Sequence, residues 1–473
     1  MTNLIVEISK YLMILLMAIY TYANFRFFSL KEPEAKRRVC GRQNRAMFAI
    51  HFLAYVVLCL KTEDEAFRFT LMAFYGAQVV FFLCYIYLYR LIYRNVSRLL
   101  VNNTCMLLCV GFIMLTRLSL SKGLDKALRQ FAIVVAAAAA AWLVPYVMGR
   151  FWQLYKLQWV YAGAGLLVLL VVWAAGNESF GAQLSITIGS ISVQPSEFVK
   201  LSFVFFVASM FYQSLDFKTI CITTAVAAAH VVVMVLSKDL GGALIFFITY
   251  VIVLYVASQN SLYLISALAA GTLAAVVAWR LFSHVQVRVL AWQDPWSTID
   301  NEGYQVARSL FAIGTGGWFG MGLGEGMPNS IPVASSDFIF SAICEELGVI
   351  FAICLILVEI SCFVLFVNIA LKMKRRFYKL TALGLAVEYI FQVFLTIGGV
   401  TKFIPSTGVT LPLISYGGSS VMSTIILFCI IQGMYVLNFE EEDQDGSKEQ
   451  YQKEQRGRNT SAKRKRLSQT QVR

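Results

Sequence analysis

Apolar runs dominate the chain. Stretches near 10–29, 46–61, 66–89, 104–118, 130–149, 157–175, 197–214, 218–236, 240–258, 261–282, 338–371, 378–400 and 420–438 approach the roughly 20 residues that a helix needs to cross a bilayer. They predict an all-α polytopic membrane protein with about thirteen transmembrane helices. The runs at 46–61 and 104–118 are short, and a re-entrant or interfacial placement is the alternative for both. Between 283 and 337 the pattern gives way to a polar segment. It contains Gly303-Tyr304-Gln305 and then six glycines from Gly314 to Gly324, which read as a flexible loop poised to receive a ligand. Glu345 and Glu346 follow inside the start of the next apolar run, where carboxylates are costly and mark function.

Charge between the runs sets the orientation. Lys31, Lys36, Arg37, Arg38, Arg42 and Arg45 form one basic cluster, Arg90, Arg94 and Arg98 a second, and Lys372 to Arg376 a third. The positive-inside rule assigns all three to the cytoplasmic side. Counting runs from them puts the N-terminus outside, the C-terminus inside, and the 283–337 segment outside together with Glu63-Asp64-Glu65. Lys122, Lys126 and Arg129 also fall outside and run against the rule.

Composition excludes a soluble protein: 58% of residues are hydrophobic and only 14% are charged. The formal charge of +13 points to anionic lipid headgroups as partners and not to nucleic acid. Met1 to Glu7 lacks the basic region of a secretory signal, so the first run reads as a retained helix. Most of the ten cysteines lie inside apolar runs without metal-site spacing, as small core residues do, and His51, His230 and His284 are too scattered for a metal triad. The alanine run Ala136 to Ala141 predicts a helix packed closely against others. From 440 to 473 the composition turns acidic, then Gln-rich, then basic, predicting a disordered cytoplasmic tail.

Four polar clusters share the outer side. In Gln194-Pro195-Ser196-Glu197, proline opens a helix that Ser196 is available to cap, and Glu197 and Lys200 are spaced to pair on one face. Lys238 and Asp239, ahead of two glycines, form a second ion-pair candidate at a helix start. The third cluster runs from Arg288 through Gln305 to Gly326. The fourth runs from Pro405 to Ser420 and includes Ser415 and Ser419. Cations and helix starts facing a shared cavity suit an anionic, phosphate-bearing ligand, and Glu197, Lys200, Lys238, Asp239, Arg288, Gln305, Glu345, Glu346, Ser415 and Ser419 are the candidate substrate-binding residues.

The motifs QPSEFVK at 194–200, KDLGGAL at 238–244, GYQVARSLFAIGTGGWFGMGLG at 303–324, DFIFSAICEELG at 337–348 and PSTGVTLPLISYGGSS at 405–420 resemble the shape, elongation, division and sporulation (SEDS) family represented by RodA, FtsW and SpoVE. The resemblance divides the chain into an N-terminal extension at 1–102 with about three helices, a core at 103–439 with the usual ten, and the tail. It implies a peptidoglycan glycosyltransferase that polymerises lipid II outside the cytoplasmic membrane, serving elongation, division or sporulation, with a class B penicillin-binding protein as partner. A divalent cation, Mg or Mn, on the pyrophosphate is the cofactor the resemblance allows.

The chain departs from the family pattern at one point. RodA and FtsW carry an essential aspartate before proline, five residues ahead of the glycine of the GYQ-like motif, and Thr298 stands there. Asp300, nearer the motif, and Asp294, which keeps the Asp-Pro pair, are the candidate catalytic carboxylates, with Glu302 as the third. A flippase for a lipid-linked precursor is the alternative function, since many spans and buried charges also suit transport, although no internal repeat is visible. A catalytically silent scaffold is a further alternative, raised by Thr298.

Overall fold

A computed structural model describes residues 2–93, 95–120, 123–150, 153–179, 182–188 and 191–439. Its helices are α1 (Thr2–Ser29), α2 (Pro33–Lys61), α3 (Glu65–Ile92), α4 (Arg98–Ser119), α5 (Asp125–Ala141), α6 (Leu143–Arg150), α7 (Gln158–Ala175) and α8 (Ser196–Gln213). They continue as α9 (Phe217–Leu236), α10 (Leu240–Ser258), α11 (Ser261–Leu281), α12 (Ser283–Gln293), α13 (Tyr304–Gly316), α14 (Ile339–Lys372) and α15 (Arg376–Val400). The last is α16 (Gly418–Phe439). Twelve spans are long and apolar enough to cross a membrane, with α5 and α6 stacked into one of them. Helix α8, which carries Glu197 and Lys200, is 18 residues long and packs against α7, α10 and α15.

The two short runs are full helices, so the re-entrant alternative is set aside. Helix α2 starts at Pro33, with proline inside the first turn, and its basic residues simply extend the helix ahead of the apolar part. Helix α4 starts at Arg98 because its polar residues find partners inside the bundle. Asn102 donates to the Cys40 carbonyl at 3.0 Å, while Asn103 accepts from Tyr20 and donates to Ser361, both at 3.0 Å. Such hydrogen bonds hold transmembrane helices together at about 0.6 kcal/mol each. Nearly all of α4 is buried, and α2, α3, α5 and α14 pack around it.

Other features add to the expected pattern or depart from it. A small antiparallel sheet, β1 (Asn177–Ser179), β2 (Ala182–Ile188) and β3 (Ile191–Val193), precedes α8 and interrupts the all-helical pattern. The presumed 283–337 loop contains α12 and α13, so the GYQ end of the glycine-rich stretch is helical. In the alanine run, Ala137, Ala138 and Ala141 are buried, but Ala136, Ala139 and Ala140 face outward. All ten cysteines are free and seven are buried. The tail expectation lies outside the described residues.

Alternating helix directions gather Lys61, the β-sheet, α12, α13 and the 401–417 loop at one end of the bundle. The opposite end carries the basic clusters, and there Arg376 donates to the Ala257 carbonyl at 3.0 Å, joining the start of α15 to the end of α10.

Candidate functional site

A cavity of about 590 Å³ opens among these gathered segments. Its floor is built from two helix starts. At the first, Pro195 occupies the cap position of α8 and Ser196 is already helical, so Ser196 does not cap. One turn down, Lys200 lies 2.8 Å from Glu197 and donates to Gln392 of α15 at 2.8 Å, with Glu388 at 4.0 Å. Ser423 of α16 donates to Glu197 at 3.1 Å. The pair expected from the spacing therefore forms, and it joins three helices.

At the second start Asp239 accepts from Gly242 N at 2.8 Å and caps α10. This carboxylate thus serves the helix terminus, where the sequence suggested a pair with Lys238. Lys238 itself sits in the left-handed region, with φ 62°, in the turn between α9 and α10. Gly241 is required here: a Cβ would collide with Val409 and come within 3.2 Å of Thr407, so glycine lets the 405–410 loop lie on α10.

The far wall is α12 and the loops it touches. Arg288 donates to the Ser406 carbonyl at 3.1 Å, and Trp292 to the Lys402 carbonyl at 3.1 Å, which docks α12 on the 401–406 loop. Burial lowers the Arg288 pKa, opposed by the nearby Asp239 and Asp337 carboxylates. Burial raises the Asp239 and Asp337 carboxyls above the usual range. Asp337, at the head of the DFIF motif, lines the cavity as well, beside the residues the motifs singled out. Its place before a helix start was the available signal.

The loop carboxylates divide. Glu302, Asn301 and Gln305 line the cavity, whereas Asp294 and Asp300 are exposed and do not line it. Asp294 accepts from the backbone N–H groups of Trp296 and Ser297, both at 3.2 Å. The Ser297 N–H bond holds its carboxyl below the usual range. The turn is closed by Gly303, whose N–H donates to the Thr298 carbonyl at 2.9 Å. Thr298 itself donates to the Asp294 carbonyl at 3.1 Å.

Glu345 and Glu346 lie away from the cavity. Glu345 accepts from Met327 N at 2.9 Å, and Glu346 pairs with Arg117 at 2.8 Å. Ser415 joins two loops, accepting from Leu411 N at 2.9 Å and donating to the Ser336 carbonyl at 2.6 Å. Ser419 accepts from Gln194 N at 2.8 Å, just behind the lining. The donor set does not fit a protein-held metal: among the described residues no three His, Cys, Asp or Glu side chains are grouped to hold one.

Lys200, Lys238 and Arg288 thus line one cavity together with Glu197, Asp239, Asp337 and the loop glutamate Glu302. The family model described as cell cycle protein, which groups FtsW, RodA and SpoVE, matches residues 98–438. The chain belongs to the FtsW/RodA/SpoVE family. It is 36% identical over 320 residues to the peptidoglycan glycosyltransferase RodA of Mycobacterium tuberculosis, covering 63% of this chain and 67% of that protein. The RodA of Mycobacterium leprae is 34% identical, covering 70% and 76%. The FtsW of Shewanella sediminis is 30% identical, covering 69% and 83%. Among solved structures, a chain from a peptidoglycan synthase complex coordinating polymerization and crosslinking shares the fold with a TM-score of 0.63 at 24% identity. It aligns over 73% of this chain and 98% of its own length. RodA of Thermus thermophilus aligns with a TM-score of 0.53 at 23% identity, over 72% and 96%. The family match begins at the first residue of α4, so α1, α2 and α3 lie outside it.

Proposed function

We propose that this FtsW/RodA/SpoVE member is a peptidoglycan glycosyltransferase that polymerises lipid II at the outer face of the cytoplasmic membrane, beside a class B penicillin-binding protein. The observation that carries the reading is the cavity itself, which Lys200, Lys238 and Arg288 line together with Glu197, Asp239, Asp337 and the loop carboxylate Glu302. In the reaction the acceptor sugar 4-hydroxyl oxygen attacks the donor anomeric carbon, and the bond from that carbon to the pyrophosphate oxygen breaks. Glu302 receives the hydroxyl proton, as a general base must from within hydrogen-bond reach. The negative charge that develops on the undecaprenyl pyrophosphate is met by Arg288 and Lys238, with Lys200 beneath them.

The basic clusters gathered at the opposite end support a cytoplasmic C-terminus and an outward cavity. The test is polymerisation of lipid II by purified protein, alone and with class B penicillin-binding proteins. Glycan strands are expected, and moenomycin, which targets another glycosyltransferase class, leaves their formation unchanged. A folded, monodisperse protein that makes no polymer with any cognate partner would transfer the reading to a precursor flippase or a silent scaffold.

A further inference from the structure

The three helices outside the family match pack on α4 and α14 and also touch the loop between α13 and α14. Residues 317–326 connect α13, which follows Glu302 and carries Gln305, to the 333–337 stretch that supplies Asp337. This connector is sandwiched. On its inner side it is laced to a kink in α14 at Gly348, where φ is 87°. Met321 N donates to the Glu345 carbonyl and Gly322 N to the Glu346 carbonyl, both at 2.9 Å, while Val349 N donates back to the Gly317 carbonyl at 3.0 Å. A Cβ at Gly320 would collide with the Glu346 carbonyl, so the two backbones are in direct contact.

On its outer side the connector meets only a few groups from the N-terminal helices. Tyr11 of α1 packs on Phe319 with ring centroids 5.5 Å apart. A Cβ at Gly322 would lie 3.0 Å from Val6 of α1. Lys61, the last residue of α2, forms an ion pair with Glu325, and its aliphatic stem lies 3.4 Å from where a Cβ at Gly324 would be. Arg68 of α3 donates to the Thr62 carbonyl at 2.7 Å and fixes the turn after Lys61. The unit is itself anchored in the core by polar contacts between buried side chains: Tyr20 to Asn103 of α4 at 3.0 Å, and Tyr55 to Thr116 of α4 at 2.9 Å. It therefore has a rigid base from which to press on the connector.

We infer that α1–α3 are a built-in positioning unit, in which Val6, Tyr11 and Lys61 hold the 317–326 connector against α14 and so set the placement of Glu302, Gln305 and Asp337. None of the three touches the cavity, so they are positioning residues for the polymerisation proposed above, and the catalytic part of the inference rests on that reading. The clamp itself does not.

The test uses the full-length protein with Lys61→Glu, Glu325→Lys and the double exchange, read by backbone hydrogen exchange and by lipid II kinetics. Forcing like charges together is unfavourable enough that each single reversal should speed exchange of the 319–326 amides about tenfold. The same reversals should lower kcat about tenfold with KM within about twofold, since the cations around the cavity are untouched. The double exchange restores the opposite charges and should bring both readouts back to within about twofold of wild type. Should a reversal prevent accumulation, Lys61→Gln and Glu325→Gln are read in the same way, with exchange at 319–326 again expected to rise. Unchanged exchange at 319–326 in the single variants overturns the clamp, whether or not polymer forms. Faster exchange with unchanged kcat overturns the positioning role. A wild-type protein that makes no polymer defeats the polymerase reading instead, and the exchange measurements still decide the clamp.

Discussion

Arg117 on α4 holds Glu346 on α14 through Nη2 at 2.8 Å and Nε at 2.9 Å, and the same Nη2 reaches the Gly326 carbonyl at 3.1 Å. The Glu346 side chain is wholly buried, so this one cation pairs its Oε1 and fastens the end of the glycine-rich connector. Removing one partner of a buried pair costs about 3–5 kcal/mol because the other is left uncompensated. Arg117→Met should therefore lower the temperature at which the detergent-solubilised protein aggregates, and adding Glu346→Gln should recover part of the loss. A single variant as heat-stable as wild type would contradict the arrangement.

The loop carboxylates separate by position relative to the cavity. Glu302→Gln should lower lipid II polymerisation by at least about a hundredfold at unchanged membrane abundance, the low end for a lost general base. Asp294→Asn and Asp300→Asn should each stay within about threefold of wild type, because neither side chain lines the cavity and asparagine also serves at turns. A large loss in Asp300→Asn with normal Glu302→Gln rates would reverse the assignment.

Arg288 combines a fixed orientation with burial. Its bond to the Ser406 carbonyl aims the guanidinium, and Asp239 and Asp337 balance its charge. Arg288→Ala should reduce kcat/KM for lipid II about a hundredfold, comparable to loss of one preorganised transition-state donor. Arg288→Lys should recover only part of that, since an ammonium cannot reproduce the planar fork. Equal rates in wild type and alanine variant would remove Arg288 from the site.

Single cysteines in a cysteine-depleted background test the orientation. Positions 63 and 305 should label with an impermeant reagent from outside intact cells, and position 375 only after permeabilisation. Labelling of 305 and 375 from the same side would refute the positive-inside assignment.

The sequence exposed the helices and most of the cavity wall because both follow local rules. Apolar runs mark spans wherever a helix faces lipid, and Glu197 and Lys200 pair because three residues separate them on one helix. It was misleading at α4, where Asn102 and Asn103 shorten the apolar run yet are satisfied by partners far away in the chain. The acidic pair was misread for the same reason. Glu345 and Glu346 look like ligand residues until Arg117, 229 residues from Glu346, is seen to neutralise one of them. Choosing among Asp294, Asp300 and Glu302 likewise depended on how the turn from Asp294 to Gly303 closes, which no spacing specifies.

Helix α14 is 34 residues long, about 51 Å at 1.5 Å per residue, against a hydrocarbon core of about 30 Å. The shaft from Gly348 to Lys372 is enough by itself to cross the bilayer. The nine residues from Ile339 to Leu347 are therefore surplus to the crossing, and the acidic pair rides on this ledge before the kink. A thicker or thinner membrane can tilt the shaft while the ledge keeps its seat on the connector, so the connector is positioned by protein contacts and not by the bilayer.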